Sequence, residues 1–325
     1  MENNRVLVLG GAGFVGSATT HELLHLGYKP CVFDNLLHGI RSNIPSNSLY
    51  VSGDLIDGWS LLHCMKDFKP DYVINFVGDT YIPTSYNMPS RFIDINIYGV
   101  YNVLRACSEC SIKKLIHIST AEVYGNKNTA LNEESSINFA NTYAVTKIAG
   151  DGLCQTFACE HNTPVNVVRL FNCYGPRPTE PYVISDIIKQ LHTKDVVELG
   201  NVNAIRDFTY VHDSAKAIIS LLLSDVKAGE TFNLGSGISY SISDIFYMLC
   251  KIMNKKHARY IIDSSRLRKK DIDSIYCDNK KLVSLTNWKP CVSILEGLEM
   301  TVKWFYDNGC KWSWEEFTEG AKTLK

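Results

Sequence analysis

Tyr143 and Lys147 stand four residues apart in a stretch, 141–161, whose apolar spacing predicts a helix, so their side chains share one face. A lysine ammonium beside a phenol favours the phenolate and is expected to lower the pKa of Tyr143. A tyrosine so poised can take the proton of a hydroxyl that is being oxidised and return it later. Thr120 follows the apolar run 115–118 at the end of a predicted strand, where open α/β sheets bind their ligands. Its hydroxyl can bond the same substrate oxygen. Tyr-x-x-x-Lys alone recurs by chance, and its weight here comes from a second constellation.

That constellation is Gly10-Gly11-Ala12-Gly13-Phe14-Val15-Gly16, which leaves a short apolar strand and opens a helix. Gly10 suits the tight turn, Gly13 the close approach of backbone to a pyrophosphate, and Gly16 the packing of helix on strand. The N–H groups at the helix start add a positive end for phosphate. Asp34 ends the second strand, where a carboxylate can hold both adenosine ribose hydroxyls and repel a 2′-phosphate. The expected cofactor is therefore NAD. Phe14, Val15, Asn35, Phe76 and the pair Asp54-Leu55, beyond the third strand near the adenine, complete the expected cofactor site.

Positioning these residues requires strands alternating with helices. Runs 6–9, 31–33, 49–51, 72–76, 115–118 and 165–168 read as strands, and 14–26, 90–111 and 141–161 as helices. The expected class is α/β, a Rossmann-type doubly wound parallel sheet with a smaller α/β lid. Residues 1–172 form the NAD-binding domain, with 206–238 returning to it. The pattern loosens at Gly175-Pro176-Arg177-Pro178, and residues 173–205 and 239–325 form the expected substrate domain.

Bulk properties narrow the class. The 325 residues are 45% hydrophobic and 21% charged, as in a globular chain with a full core. A net charge of -1 offers no field to gather nucleic acid or an acidic membrane surface. No run of about 18 apolar residues suggests a membrane span. The start, Met1-Glu2-Asn3-Asn4, has no basic n-region, so a cytoplasmic location is expected. Of 11 cysteines only Cys107 and Cys110 form C-x-x-C, without the further ligands zinc needs. Free thiols and no metal are expected.

In its ordered motifs the chain resembles the extended short-chain dehydrogenases/reductases, in their nucleotide-sugar epimerase/dehydratase branch. Beyond the glycine loop and Asp34, the resemblance rests on Asn96-Ile97-Tyr98-Gly99 and on the run from Ser119 through Thr120, Ala121 and Glu122 to Gly125. Tyr143 and Lys147 follow, then the segments 169–177 and 206–213 and Asn287-Trp288-Lys289-Pro290. It implies a nucleoside diphosphate held in the lid, with Asn172, Arg206 and Arg268 at the pyrophosphate, as guanidinium forks suit phosphate. It also implies Tyr81 and Ser85 beside the sugar, and a homodimer built on the helices 90–111 and 141–161.

The resemblance further implies that a sugar is first oxidised at C4. An epimerase needs no further base, whereas a dehydratase must remove the C5 proton. Glu122 stands where similar dehydratases place that base. Glucose-type dehydratases often carry an aspartic acid just before it; here Ala121 fills that position. The expectation is thus a 4,6-dehydratase acting on UDP-N-acetylglucosamine, some relatives of which also invert C5. A UDP-glucuronate decarboxylase, a 4-epimerase and a non-catalytic NAD-binding scaffold remain the alternatives.

Overall fold

A computed structural model describes residues 4–267 and 272–315. In chain order its first half runs β1 (Arg5–Leu9), α1 (Phe14–His25), β2 (Lys29–Asp34), β3 (Leu49–Ser52), α2 (Gly58–Phe68), β4 (Tyr72–Asn75), α3 (Ile82–Ser85), α4 (Pro89–Ile93), α5 (Val100–Glu109), β5 (Lys114–Thr120), α6 (Thr142–Glu160) and β6 (Val165–Leu170). The second half adds β7 (Asn172–Tyr174), α7 (Val183–Thr193), β8 (Val196–Leu199), β9 (Ile205–Tyr210), α8 (Val211–Leu223), β10 (Thr231–Leu234), β11 (Ser239–Ser241), α9 (Ile242–Ile252), β12 (Arg259–Ile262), β13 (Ser274–Ile275), α10 (Lys280–Thr286) and α11 (Ile294–Asp307).

Seven strands form one parallel sheet in the order β10-β6-β5-β4-β1-β2-β3. Both faces are covered, which is why β1 reads as a continuous apolar run rather than an alternating one. Leu7, Leu9, Val73 and Leu115 pack under α2, α5 and α6, while Val6, Val8, Ile74 and Ile116 pack under α1, α8 and α10. Strand order reverses between β1 and β4, opening the crevice in which such sheets bind ligands.

The lid is organised on β9, which carries β11 antiparallel and β7 and β13 parallel. Its core gathers Ile187 and Leu191 of α7, Phe246 and Leu249 of α9, and Leu298 and Phe305 of α11. Side-chain caps start α9 and α11: Ser241 with Asp244 and Ser293 with Glu296 form reciprocal capping boxes.

Three details differ from the sequence reading. Strand β9 belongs to the lid sheet, so within 206–238 only α8 and β10 join the large sheet. Conversely, Leu282 of α10 and Trp288 sit in the core beside the large sheet, not in the lid. Finally, the stretch 90–111 is not one helix: a π-helical turn, Asp94–Gly99, separates α4 from α5. A one-residue expansion barely disturbs apolar spacing, which hides it from periodicity. The turn directs Asn96 inward, where its Oδ1 accepts from Asp79 N–H at 3.0 Å and its Nδ2 donates to the Asp79 carbonyl at 3.1 Å.

Tyr210 both ends β9 and caps α8. Val211 and Ala215 of α8 then pack against Phe14 and Ala18 of α1. The lid sheet thus continues without a linker into the helix that supports the glycine loop.

Candidate active site

A cavity of about 1200 Å³ runs along the C-terminal ends of the large sheet and under the lid. It exceeds the roughly 300–1,000 Å³ of a typical single-ligand pocket, as two ligands end to end require. Gly10, Gly13, Phe14, Val15 and Gly16 form part of its wall, with Asp34, Asn35, Asp54, Leu55 and Phe76 beyond them.

The glycine loop is built for contact without side chains. Gly10 takes φ +78°, and a Cβ there would lie 3.0 Å from the Val77 nitrogen. A Cβ on Gly16 would stand 2.2 Å from the Gly10 carbonyl oxygen, so helix α1 could not seat against the turn. At the far end Asp34 accepts from Ala12 N–H at 3.0 Å and from Leu36 N–H at 2.8 Å. Burial raises its pKa, while those hydrogen bonds and His38 hold it down. Asn35 donates to Asp54 at 2.9 Å, tying the loop after β2 to the loop after β3. A bare cradle at a helix start, with a buried carboxylate at the ribose end, fits NAD.

The candidate catalytic residues rest on and just beyond β5 and on α6. Asn141 caps α6 by accepting from Ala144 N–H at 2.8 Å, which sets the register of its inner face. Tyr143 lies on that face with its ring edge-on to Phe92, centroids 6.2 Å apart. Thr120, Glu122, Tyr143 and Lys147 all line the cavity, and Thr120 Oγ1 accepts from the Glu122 N–H at 3.2 Å. Lys147 Nζ donates to the Ile118 carbonyl at 2.7 Å, and burial pushes its pKa down to about 8 despite the opposing charge of Asp151.

Tyr143 departs from expectation. Burial pushes its phenol well above the ordinary value; the Thr120 hydrogen bond pulls it back, and Glu122 pushes it further up. The expected lowering does not occur: desolvation of the enclosed phenolate sets the direction of the shift.

Behind the pair, Asp151 lies one further turn along α6 and accepts from Arg169 Nε at 2.9 Å. Arg169 also donates to Tyr124 Oη at 2.9 Å, and Tyr124 donates to Asn233 at 2.7 Å.

Among the substrate candidates, Tyr81, Asn172 and Arg206 line the cavity. Arg206 is buried, with its guanidinium donating to the Ile205 carbonyl at 2.9 Å. Neighbouring Asp207 accepts from Ser236 N–H and Gly237 N–H, each at 2.8 Å. Ser85 is a correction: it is buried, donates to the Ile82 carbonyl at 2.7 Å within α3, and does not form the wall. Arg268 lies outside the described residues.

Several wall residues have no motif to announce them. His38 bridges Asp79 at 3.0 Å and Glu180 at 3.1 Å, and Arg91 pairs with Asp79 at 2.6 Å. Tyr182, at the start of α7, reaches from the lid to Thr80, hydroxyl to hydroxyl 3.4 Å, with its ring 6.3 Å from that of Phe14. These residues come from loops distant in sequence, and the one local sign is the proline-flanked break at 175–182.

The profile of the family described as GDP-mannose 4,6-dehydratase matches residues 7–301. The chain belongs to that family. It is a member of the extended short-chain dehydrogenases/reductases, NAD-dependent enzymes that act on nucleotide sugars. Human dTDP-D-glucose 4,6-dehydratase is 26% identical over 95% of this chain and 91% of its own. The UDP-glucuronate 4-epimerase of Thermodesulfobacterium geofontis is 28% identical over 93% and 96%. Among solved structures, the UDP-glucose 4-epimerase of Thermotoga maritima with UDP-glucose superposes with TM-score 0.87 at 28% identity, covering 94% of this chain and 99% of that one. The dTDP-glucose 4,6-dehydratase DesIV of Streptomyces venezuelae, with NAD and TYD bound, does so with TM-score 0.87 at 25% identity, covering 95% and 98%. Dehydratases and epimerases thus flank this family member alike. No helix among its described residues is long and apolar enough to cross a membrane.

Proposed function

We propose that this enzyme is a nucleotide-sugar 4,6-dehydratase, with UDP-N-acetylglucosamine as its substrate. The observation that carries the reading is Glu122: a carboxylate in the wall of the cavity that Thr120, Tyr143 and Lys147 also line. The glycine loop and Asp34 would hold NAD, which would supply the hydride chemistry at C4 and C6. Tyr143 takes the C4 hydroxyl proton while Thr120 holds that oxygen, and the Lys147 ammonium favours the phenolate that results. Glu122 removes the C5 proton, which the ketone at C4 acidifies, so that C5 and C6 become doubly bonded as the C6 oxygen leaves.

Asn172, Arg206 and Arg268 hold the diphosphate and Tyr81 lies beside the sugar. Ala121, in place of the acidic residue of glucose-type dehydratases, favours an N-acetylamino sugar. Return of a proton to the opposite face of C5 would invert that centre. Among the described residues, the proposed NAD-binding domain is 4–172 together with α8, β10 and α10, and the lid is the rest of them.

The family member is proposed to work as a homodimer. Ile93, Tyr98 and Tyr101 on α4, the π-helical turn and α5, and Val145 on α6, are exposed. Tyr98 and Tyr101 stack with centroids 6.0 Å apart, an apolar face suited to a second copy.

The test is mass spectrometry and NMR of the products formed from UDP-N-acetylglucosamine, UDP-glucose and UDP-glucuronate in heavy water. Loss of water with deuterium at C5 is expected. An isomer of unchanged mass, as a 4-epimerase would give, or release of carbon dioxide, would overturn the reading.

A further inference from the structure

We infer that Tyr182, a tyrosine of the lid, is the acid that protonates the departing C6 oxygen. The inference rests on the dehydratase reading above, in which Ala121 leaves that role unfilled.

Tyr182 enters the cavity from the start of α7. Its side chain lines the cavity with Glu122 and Tyr143. Its ring leans on Phe14 of the cofactor loop, and its hydroxyl meets that of Thr80. Tyr182 lies close enough to Tyr143 to raise the pKa of that phenol, and Tyr81 bears on Tyr182 in the same way. A sugar held at Thr120 and Tyr143 by its C4 oxygen therefore shares the cavity with both the Glu122 carboxylate and the Tyr182 hydroxyl.

The other ionisable groups nearby are committed. Asp79 pairs with Arg91 and His38, and Glu180 pairs with His38, so both carboxyls are engaged by cationic partners. The Cys173 thiol points to Ser214 Oγ at 3.4 Å. Glu122 is occupied as the base.

The step balances. Glu122 takes the C5 proton, and the C–H pair becomes the C5–C6 double bond. The C6–O bond breaks with its pair on oxygen, and that oxygen takes the Tyr182 proton and leaves as water. Tyr182 is left as phenolate and regains its proton from solvent through the Thr80 side of the cavity. Burial pushes the Tyr182 phenol up to about 12, which keeps it protonated until needed. Hydroxide is a stronger base than that phenolate, its conjugate acid having a pKa of about 15.7, so the transfer runs downhill.

The test is Tyr182→Phe, which keeps the ring on Phe14 and removes only the oxygen. With the 6-hydroxy sugar, NADH should still appear on mixing while water loss slows by roughly 10²–10⁴-fold. With the 6-deoxy-6-fluoro analogue, whose leaving group needs no proton, Tyr182→Phe should stay within about three-fold of wild type. Equal losses on both sugars, no loss on either, failure to form NADH, or a selective loss in Tyr81→Phe instead would each overturn the assignment. If the wild-type enzyme removes water from no nucleotide sugar, the dehydratase reading itself falls. If it does remove water and only the fluoro rescue fails, Tyr182 alone is reassigned.

Discussion

The ammonium of Lys147 sits 2.7 Å from the backbone carbonyl oxygen of Ile118, two residues before the threonine that shares its cavity wall. One side chain of α6 is thereby tied to the end of β5, and Tyr143, one turn earlier, is aimed by the same bond. The tie costs Lys147 its solvation, and burial brings its pKa to about 8.

The charged form of Lys147 is therefore lost as pH rises through about 8. Turnover should fall on the alkaline side with a midpoint near there, since the neutral amine no longer favours a Tyr143 phenolate. Asp151→Asn removes a charge that raises the Lys147 pKa, so its alkaline limb should move to lower pH. Profiles of kcat/KM against pH for both proteins decide this, and limbs that coincide would refute the coupling.

Glu122→Gln keeps the size of the side chain and removes its basicity. Stopped-flow absorbance should still show NADH formation, while water loss in heavy water drops by roughly 10²–10⁴-fold. Undiminished elimination would remove Glu122 from the mechanism.

Asp34→Asn should bring NADP and NAD closer in affinity, because the charge facing a 2′-phosphate is gone while one acceptor oxygen remains. NAD should weaken by about 10-fold, the size of one charge-assisted hydrogen bond. Titration of the apoprotein by fluorescence measures both cofactors.

Asp151→Ala leaves Arg169 buried with its ion-pair partner removed. Loss of one partner of a buried pair costs about 3–5 kcal/mol, so denaturant unfolding should shift strongly to lower midpoints. A double variant with Arg169→Met should recover part of that loss.

His38 carries a different pH signature. The carboxylates of Asp79 and Glu180 raise its pKa to about 9 from an ordinary 6.5, against opposition from burial and the Arg91 charge. A raised pKa means its stabilising charge is fully present below about 6.5 and is lost as pH rises through about 9. The Tm difference between wild type and His38→Asn should shrink over that interval. A difference independent of pH would show the bridge to be neutral.

Residues inside continuous elements were readable from the chain. Gly10, Asp34, Thr120, Glu122, Tyr143 and Lys147 sit at strand ends or on helix faces whose period places them, and all line the cavity. Ser85 was misread because a four-residue helix, Ile82–Ser85, turns its hydroxyl onto its own backbone, which no periodicity resolves. Strand β9 reads as a strand without showing which sheet it joins, because its partners lie far away in sequence. Tyr182 and the His38 bridge arise where loops from two domains meet, and the upward shift of Tyr143 follows from packing around it rather than from its neighbours in sequence.

The junction at Tyr210 leaves no slack joint between lid and floor. A rocking of β9 would carry α8 with it, and α8 packs on Phe14 at the mouth of the glycine turn. Opening wide enough to free the dinucleotide would mean prying apart that helix pair, whereas a sugar needs only the outer loops to part. The architecture thus favours a redox carrier that stays aboard through many cycles while its cargo comes and goes.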